Sequence, residues 1–468
     1  MTAAARLLRL ELRNNVMLWL LPLAALLFWF VTYRPGMAYP PMWNLRATAM
    51  QTSSLAVFVP LVVGAAAWSG SREGRHGVKE LVVGSARPRW ARQLGAWAAT
   101  TCWAIVAYLG CVGVLYAVTA GEGAWGGPLW WPAVVGTASL PAFSALGFAA
   151  GALRPSRFTP PVLAIGAFLA LEISANFIQG YGSPWQISPL VANPWSLGAD
   201  EGIATFYRYL PDLAIAQILF LAGLTAALLG VLGLPAAAGG RWLRRSATAL
   251  TVAGVLGAGT GIALAGTGHL DQHGMIAIPI LHNGAYDRPV PHTAVCSQTP
   301  IPVCVHPAYR RYLPAVVDGL APVLTEVAGL PGAPARVDQV AAAYEQRSGN
   351  DAGIGRAGAA VTGTPPVFNV LLPTQLAHQL SAEELAGEIR GGMARDLVQS
   401  LTGGGRGADD AQAAVTEALA HTSTLPPGSP VAEAAQRFAA LPAATRHAWL
   451  MAHLPALRAG QLTLADLP

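Results

Sequence analysis

Long runs of apolar residues alternate with short polar breaks through the first 267 positions, and seven of those runs approach the length of a bilayer crossing. They extend from Val16 to Tyr33, Leu55 to Trp68 (lengthened by the uncharged residues from Thr52), Leu94 to Val118, Ala133 to Leu153, Pro160 to Gln179, Leu213 to Leu234 and Ala247 to Thr267. About 20 apolar residues in a helix cover the hydrocarbon core, where every backbone amide must be bonded within the segment. All seven are free of charge except the fifth, which holds Glu172. The first run predicts a retained span, because its cleavage context is poor and further spans follow it. Beyond residue 267 the pattern changes. Ala-rich helical periodicity is predicted over Tyr309 to Val327, Ala335 to Gln346, Ala382 to Leu401 and Ala411 to Ala420, with β-like runs near Met275 to Ile280 and Val367 to Leu372. Gly349 to Gly363 and Gly403 to Gly407 read as loops. The expected fold class is an α-helical polytopic membrane protein followed by a mainly helical α+β domain over 268–468.

Composition agrees with membrane insertion, at 53% hydrophobic and 11% charged residues. Charge divides the chain in two: residues 1–267 carry 17 Lys/Arg against 8 Asp/Glu, and residues 268–468 carry 12 Arg against 16 Asp/Glu. The pI near 9.2 arises from cations in short loops between apolar runs, so topology accounts for it and nucleic-acid binding is not expected. Arg supplies all but one of the 29 cations and Ala and Gly abound, as in high-GC bacterial genomes. Cations near helix ends stay cytoplasmic. Fourteen fall on one side (Arg6, Arg9, Arg13; Arg72, Arg75, Lys79, Arg87, Arg89, Arg92; Arg154, Arg157; Arg241, Arg244, Arg245) and three on the other (Arg34, Arg46, Arg208). The N-terminus is therefore expected inside a bacterial plasma membrane, and seven crossings place 268–468 outside.

Three segments carry candidate chemistry. Residues 2–15, TAAARLLRLELRNN, suit an amphipathic helix lying in the interface, or a basic segment that merely sets topology. The charged stretch 68–93, WSGSREGRHGVKELVVGSARPRWARQ, offers a short helix with Glu73, Arg75, Lys79 and Glu80 on one side and Val78, Leu81 and Val82 on the other, closed by Gly84 and Pro88. It reads either as a docking helix or as a solvated loop. Glu172 is costly inside a bilayer, which points to a partner, a wet path or a position near the outer headgroups. Residues 180–211, rich in Trp, Tyr and Pro, are too polar to span; Trp185, Trp195, Phe206 and Tyr207 suit an interfacial belt.

Over residues 1–240 the N-terminal amphipathic segment, the loop after the second span reading W-x-G-S-R-E-x-R-x-G-x-x-E-L and then P-R-W, and six core spans resemble the transmembrane permease subunit of export-class bacterial ABC transporters. The resemblance implies an elbow helix at 1–15, a six-helix permease domain at 16–240 and a coupling helix in which Arg72, Glu73, Arg75, Val78, Glu80 and Leu81 touch a separate ATPase subunit. It implies re-entrant helices within 180–211, a second permease half forming a homo- or heterodimer, and ATP and Mg bound by the partner, with no cofactor in this chain. Glu172 becomes a candidate for the transport path. No P-loop is present, since the only lysine, Lys79, lacks the G-x-x-x-x-G-K-[ST] context. The chain departs from the family in adding a seventh helix (241–267) and the domain at 268–468.

In that domain Cys296 and Cys304, in CSQTPIPVC, predict a disulfide on the oxidising side. The competing assignment is a zinc site of His292, Cys296, Cys304 and His306, with suitable ligand types but a spacing that matches no common finger. Cys102 and Cys111 sit in the third span as packing residues. Some permeases of this kind carry a fused zinc aminopeptidase, but His378 is followed by Gln379 rather than by H-E-x-x-H chemistry, and no G-x-S-x-G elbow occurs. No catalytic or metal residue is expected. Two function classes follow: an export permease driven by a separate ATPase, or a membrane anchor for an extracytoplasmic binding, signalling or degenerate peptidase-like domain.

Overall fold

The structure is a computed structural model that describes residues 3–75, 88–176, 184–192, 203–236, 240–270, 275–340, 361–372, 381–403, 408–421 and 425–468. It divides into two compact units, Met1–Ala199 with Tyr207–Arg288, and Asp200–Phe206 with Pro289–Pro468.

The first unit is helical. Its elements are α1 (Ala3–Arg13), α2 (Val16–Gly36), α3 (Trp43–Arg75), α4 (Arg89–Gly121), α5 (Trp131–Leu153), α6 (Thr159–Asn176), α7 (Asp212–Ala236) and α8 (Arg241–Gly266). Among the described residues six of these, α2 to α5, α7 and α8, are long and apolar enough to cross a membrane. Their outward surfaces are apolar: Trp19 is 81% exposed, and Leu26, Phe30, Val106, Val114, Val255 and Leu256 also face outward. A soluble helix would turn polar residues there. Six of the seven expected spans are therefore long apolar helices among the described residues, and the fifth corresponds to a shorter apolar helix. The apolar part of α6 within the described residues is Thr159–Ile173, and the full 18-residue helix is about 27 Å long at 1.5 Å per residue.

A correction concerns where α3 begins. The sequence reading started this span near Thr52, yet the helix starts at Trp43 because its polar first turns find partners. Arg46, fully buried, pairs with Glu122 at 2.7 Å and donates to the Tyr39 carbonyl at 3.1 Å, while Thr48 and Ser53 hydroxyls return to the carbonyls of Asn44 and Ala49. Polar residues that look like a loop thus become the buried end of a helix.

Glycine sets the closest helix pairs. A Cβ at Gly147 or Gly151 of α5 would overlap the carbonyls of Val63 and Ala67 on α3, and Gly70 meets the Phe148 carbonyl in return. Gly223 of α7 and Gly254 and Gly261 of α8 interlock in the same way. Close backbone approach through small residues is how apolar helices associate without a hydrophobic driving force between them. Larger side chains fill the remaining interior, with Phe58 edge-on to Tyr108 at 5.5 Å and Met17, Met50 and Leu115 buried around them.

The direction of the chain through this unit follows from its contacts. Gly74 at the end of α3 packs on Pro155 after α5, whereas Asn44 at the start of α3 donates to the Tyr207 carbonyl before α7 at 3.0 Å. Between Pro155 and Tyr207 the chain passes from one end of the bundle to the other, and α6 is the helix that makes the passage. After α8, strands β1 (His269–Leu270) and β2 (Ile276–Ala277) pair beside Asp212, whose carboxylate accepts from the Ile278 amide at 3.0 Å. The unit thus closes at the end where α3 began.

The second unit is built on a five-stranded sheet of order β3-β4-β5-β7-β6, from Val295–Cys296, Val303–Val305, Arg336–Gln339, Val367–Val370 and Val361–Thr362. The three inner strands are parallel and the two edges antiparallel. Helix α9 (Leu313–Val327) connects β4 to β5 and buries Val316, Leu320, Val323 and Val327. Among the described residues its further helices are α10 (Ala382–Gly391), α11 (Met393–Thr402), α12 (Asp410–Ala420), α13 (Pro430–Ala440) and α14 (Ala443–Arg458). Strands fall where β-like runs are predicted at 275–280 and 367–372. The helix expected over Ala335 to Gln346 is corrected: 336–339 is the central strand, with Val337 and Gln339 facing inward at a period of two. The Ala-rich residues after it, which carry the helical signal, lie outside the described residues. The helix expected over Ala382 to Leu401 breaks in two at Gly391 and Gly392, and the Ser381–Glu384 capping box starts its first half.

Candidate functional site

At the cation-rich end of the helical unit three helix termini meet. Trp103 Nε1 on α4 donates to the Leu12 carbonyl at 2.8 Å, and Asn15 both caps α2 and donates to Thr100 Oγ1 at 2.9 Å, so α1 is held across α4. From the end of α3, Arg72 Nη2 reaches both carboxylate oxygens of Glu11 at 2.7 and 3.0 Å. The neighbouring Glu73 lies 3.4 Å from Arg89 Nε and 3.8 Å from Arg92 Nε at the start of α4. Trp90 Nε1 then donates to the Leu229 carbonyl at 3.0 Å and ties α4 to α7.

Of the six predicted coupling residues, the structure brings Arg72 and Glu73 into this cluster. Arg75 closes α3, and its side chain, with Val78, Glu80 and Leu81, lies outside the described residues, as does Arg87. The sequence reading missed Glu11, Trp90, Asn15 and Trp103. Glu11 had a signal, being the only acid in the N-terminal segment, but its partner stands 61 positions away. Exposed ion pairs contribute about 0–1 kcal/mol each, so this cluster orients the helix ends more than it stabilises them. Its chemistry is that of charged, paired helix ends on the two sides of residues 76–87 in the sequence.

The opposite end holds a belt of buried polar contacts. Gln51 of α3 donates to the Pro189 carbonyl at 2.9 Å, and Gln217 of α7 donates to those of Ser188 and Val191 at 2.7 and 2.8 Å. These side chains hold the segment 184–192, a 3₁₀ turn at Pro184–Ile187 followed by buried residues, which sequence reading placed among re-entrant helices. Nearby His282 lies 3.5 Å from Asp212 and 3.1 Å from Asp287. Of the interfacial candidates, Phe206 is buried within the second unit, Tyr207 is half-buried, and Trp195 and the Trp185 side chain lie outside the described residues. Glu172 is half-buried and engaged on α6.

In the second unit Cys296 and Cys304 form a disulfide between directly opposed residues of β3 and β4. The thiols that a zinc site would use are thereby consumed, and among the described residues no group of three or more His, Cys, Asp or Glu could hold a metal. His292 and His306 instead lie ring to ring at 4.6 Å, each 5.4 Å from Phe206. Burial pushes the His306 imidazole down to about 3, and its Nδ1 caps the following turn by accepting from the Ala308 amide at 3.2 Å. Cys111 packs against the core of the helical unit, whereas Cys102 is exposed, so the expectation that both serve packing is corrected for Cys102. His378 lies outside the described residues. Compared with known proteins, the chain matches no family model, no curated protein sequence and no solved structure.

Proposed function

We propose that this chain is the membrane-spanning permease subunit of an ABC transporter, moving a substrate across the plasma membrane in the direction of export and driven by ATP hydrolysis in a separate ATPase subunit. The observation that carries the reading is the clamped end of the bundle. Residues 76–87 connect α3 to α4 in the sequence, and both flanking turns are charge-paired, to α1 through Arg72–Glu11 and to each other through Glu73 with Arg89 and Arg92. Helices α1, α3 and α4 are thereby tied together on either side of this segment, which is what a coupling element requires. Twelve of the fourteen cations assigned to this side lie among the described residues at or near this end, supporting its assignment to the cytoplasm.

The end-to-end passage through α6 gives an odd number of crossings, so on this reading the second unit is extracytoplasmic. Its disulfide agrees with an oxidising compartment. ATP and Mg belong to the partner, and a second permease half completes the path, with Glu172 as a candidate on it.

The test is co-purification of the full chain in mild detergent from its own cells, a search of the bound proteins for an ATPase subunit with Walker motifs, and hydrolysis assays on the complex. A stable complex is expected. Arg72→Glu should lower hydrolysis several-fold, and the charge-swapped pair Glu11→Arg with Arg72→Glu should recover most of it. Failure of any ATPase to co-purify would overturn the proposal.

A further inference from the structure

The cations at the clamped end of the helical unit divide by what neutralises them. Arg72, Arg89 and Arg92 face the carboxylates of Glu11 or Glu73. Another five are exposed: Arg154 and Arg157 between α5 and α6, and Arg241, Arg244 and Arg245 at the head of α8. None of the five is ion-paired among the described residues. Their own segments cannot neutralise them, because residues 123–171 and 213–270 contain no Asp or Glu. The three on α8 also stand at the end where the helix dipole already carries positive charge, after a Gly240 cap that supplies no side-chain acceptor.

These arginines border one place. Phe148 and Ala149 of α5, Leu229 and Leu232 of α7 and Leu250 of α8 pack in a single apolar cluster, and Arg154 and Arg245 each lie five residues from a member of it. Large apolar side chains are exposed among the charges. Trp242 is 77% exposed between Arg241 and Arg244, and the Arg157 guanidinium stands 4.8 Å over the exposed ring of Phe158. Exposed aromatic rings beside guanidiniums, at the ends of helices long enough to cross a bilayer, suit the headgroup layer, where ring and charge are both accommodated. Cations near helix ends direct insertion as the chain is threaded, but the folded protein still carries five charges that its own segments leave uncompensated.

We propose that the connection from α5 to α6 and the head of α8 form a binding site for anionic phospholipid headgroups. The guanidiniums donate to phosphate oxygens, for which their planar fork is suited, while Trp242 and Phe158 lie against the glycerol and upper acyl region of the bound lipid. The site rests on insertion of the long helices in a bilayer, and neither on their orientation nor on an ATPase.

The test titrates dioleoyl phosphatidylglycerol or dioleoyl phosphatidylcholine into the full chain in mild detergent, with native mass spectrometry reading the first lipid bound. Phosphatidylglycerol should bind at least about fivefold more tightly than phosphatidylcholine at low ionic strength, and the preference should shrink to within about twofold when salt is raised tenfold. Arg241→Gln with Arg244→Gln and Arg245→Gln should bring the two lipids close to parity, whereas Arg241→Lys with Arg244→Lys and Arg245→Lys should keep most of the preference. Arg310→Gln with Arg390→Gln and Arg437→Gln removes the same charge from exposed positions of the second unit and should leave the preference unchanged. Glycerol 3-phosphate, which has the phosphate without the chains, should not displace the lipid at equal concentration. Equal affinity of the wild-type chain for the two lipids, an equal loss in the second-unit variant, or displacement by glycerol 3-phosphate would overturn the proposal, and the wild-type comparison decides it if the glutamine variant of α8 does not fold.

Discussion

Arg46 shows how a single residue can reverse its apparent meaning. As a letter it is a loop cation on the sparsely charged side; in the structure it is fully buried and joined to Glu122, Thr119 and the Tyr39 carbonyl. Arg46→Leu should therefore destabilise the detergent-solubilised protein by about 2–4 kcal/mol in denaturant titrations, because the groups it satisfies lose their partner. Glu122→Gln should cost less, as Glu122 remains partly in contact with solvent. His306 supplies a different signature. Its folded-state pKa, near 3, lies below the ordinary 6.5, so the unfolded chain takes up a proton that the folded one refuses. Stability from this group is complete above about pH 6.5 and is lost as pH falls towards 3. His306→Asn keeps a capping oxygen and removes the titration, so its unfolding free energy, measured against pH, should fall less steeply than wild type over that interval.

At the level of elements, the apolar runs were legible because a bilayer-length helix needs only composition. Register was not. The glycines that interlock α7 with α8 lie seven apart at Gly254 and Gly261, a spacing visible in the letters, but their partners across the contact are not. Gly254→Leu drives a side chain into the backbone of Ala227, and should shift the protein to aggregated fractions in size-exclusion chromatography; Gly259→Leu, whose Cβ would meet nothing, should elute as wild type. Strand β5 escaped sequence reading for a related reason. Its four-residue alternation is shorter than the Ala-rich stretch that follows, and only pairing with β4 on one side and β7 on the other reveals it. The clamp of Glu11, Arg72, Glu73, Arg89 and Arg92 was half-visible, since the charges stand in the sequence but their pairing depends on how three helix ends converge. The turn at His421 was not visible at all, because a left-handed histidine is a property of backbone geometry.

For the whole molecule, the expectation is two-sided. An alkaline phosphatase fused after Pro468 should be active in cells, and Cys296 and Cys304 should resist alkylation until a reductant is added. An inactive fusion with two freely alkylated thiols would place the second unit inside and remove the topology. The pair α7 and α8 carries one more consequence. Helix α8 packs along α7 and beside the 184–187 turn, and most of its remaining surface faces outward. Two helices matched by glycine to each other, and joined by a short connection, can leave the ribosome and enter lipid as one closed hairpin, needing no other helix as a template. On the proposed topology this hairpin is the last membrane element before residues 289–468, and a lesion in its glycine seam is expected to lower the fraction of chains whose C-terminal phosphatase fusion is active.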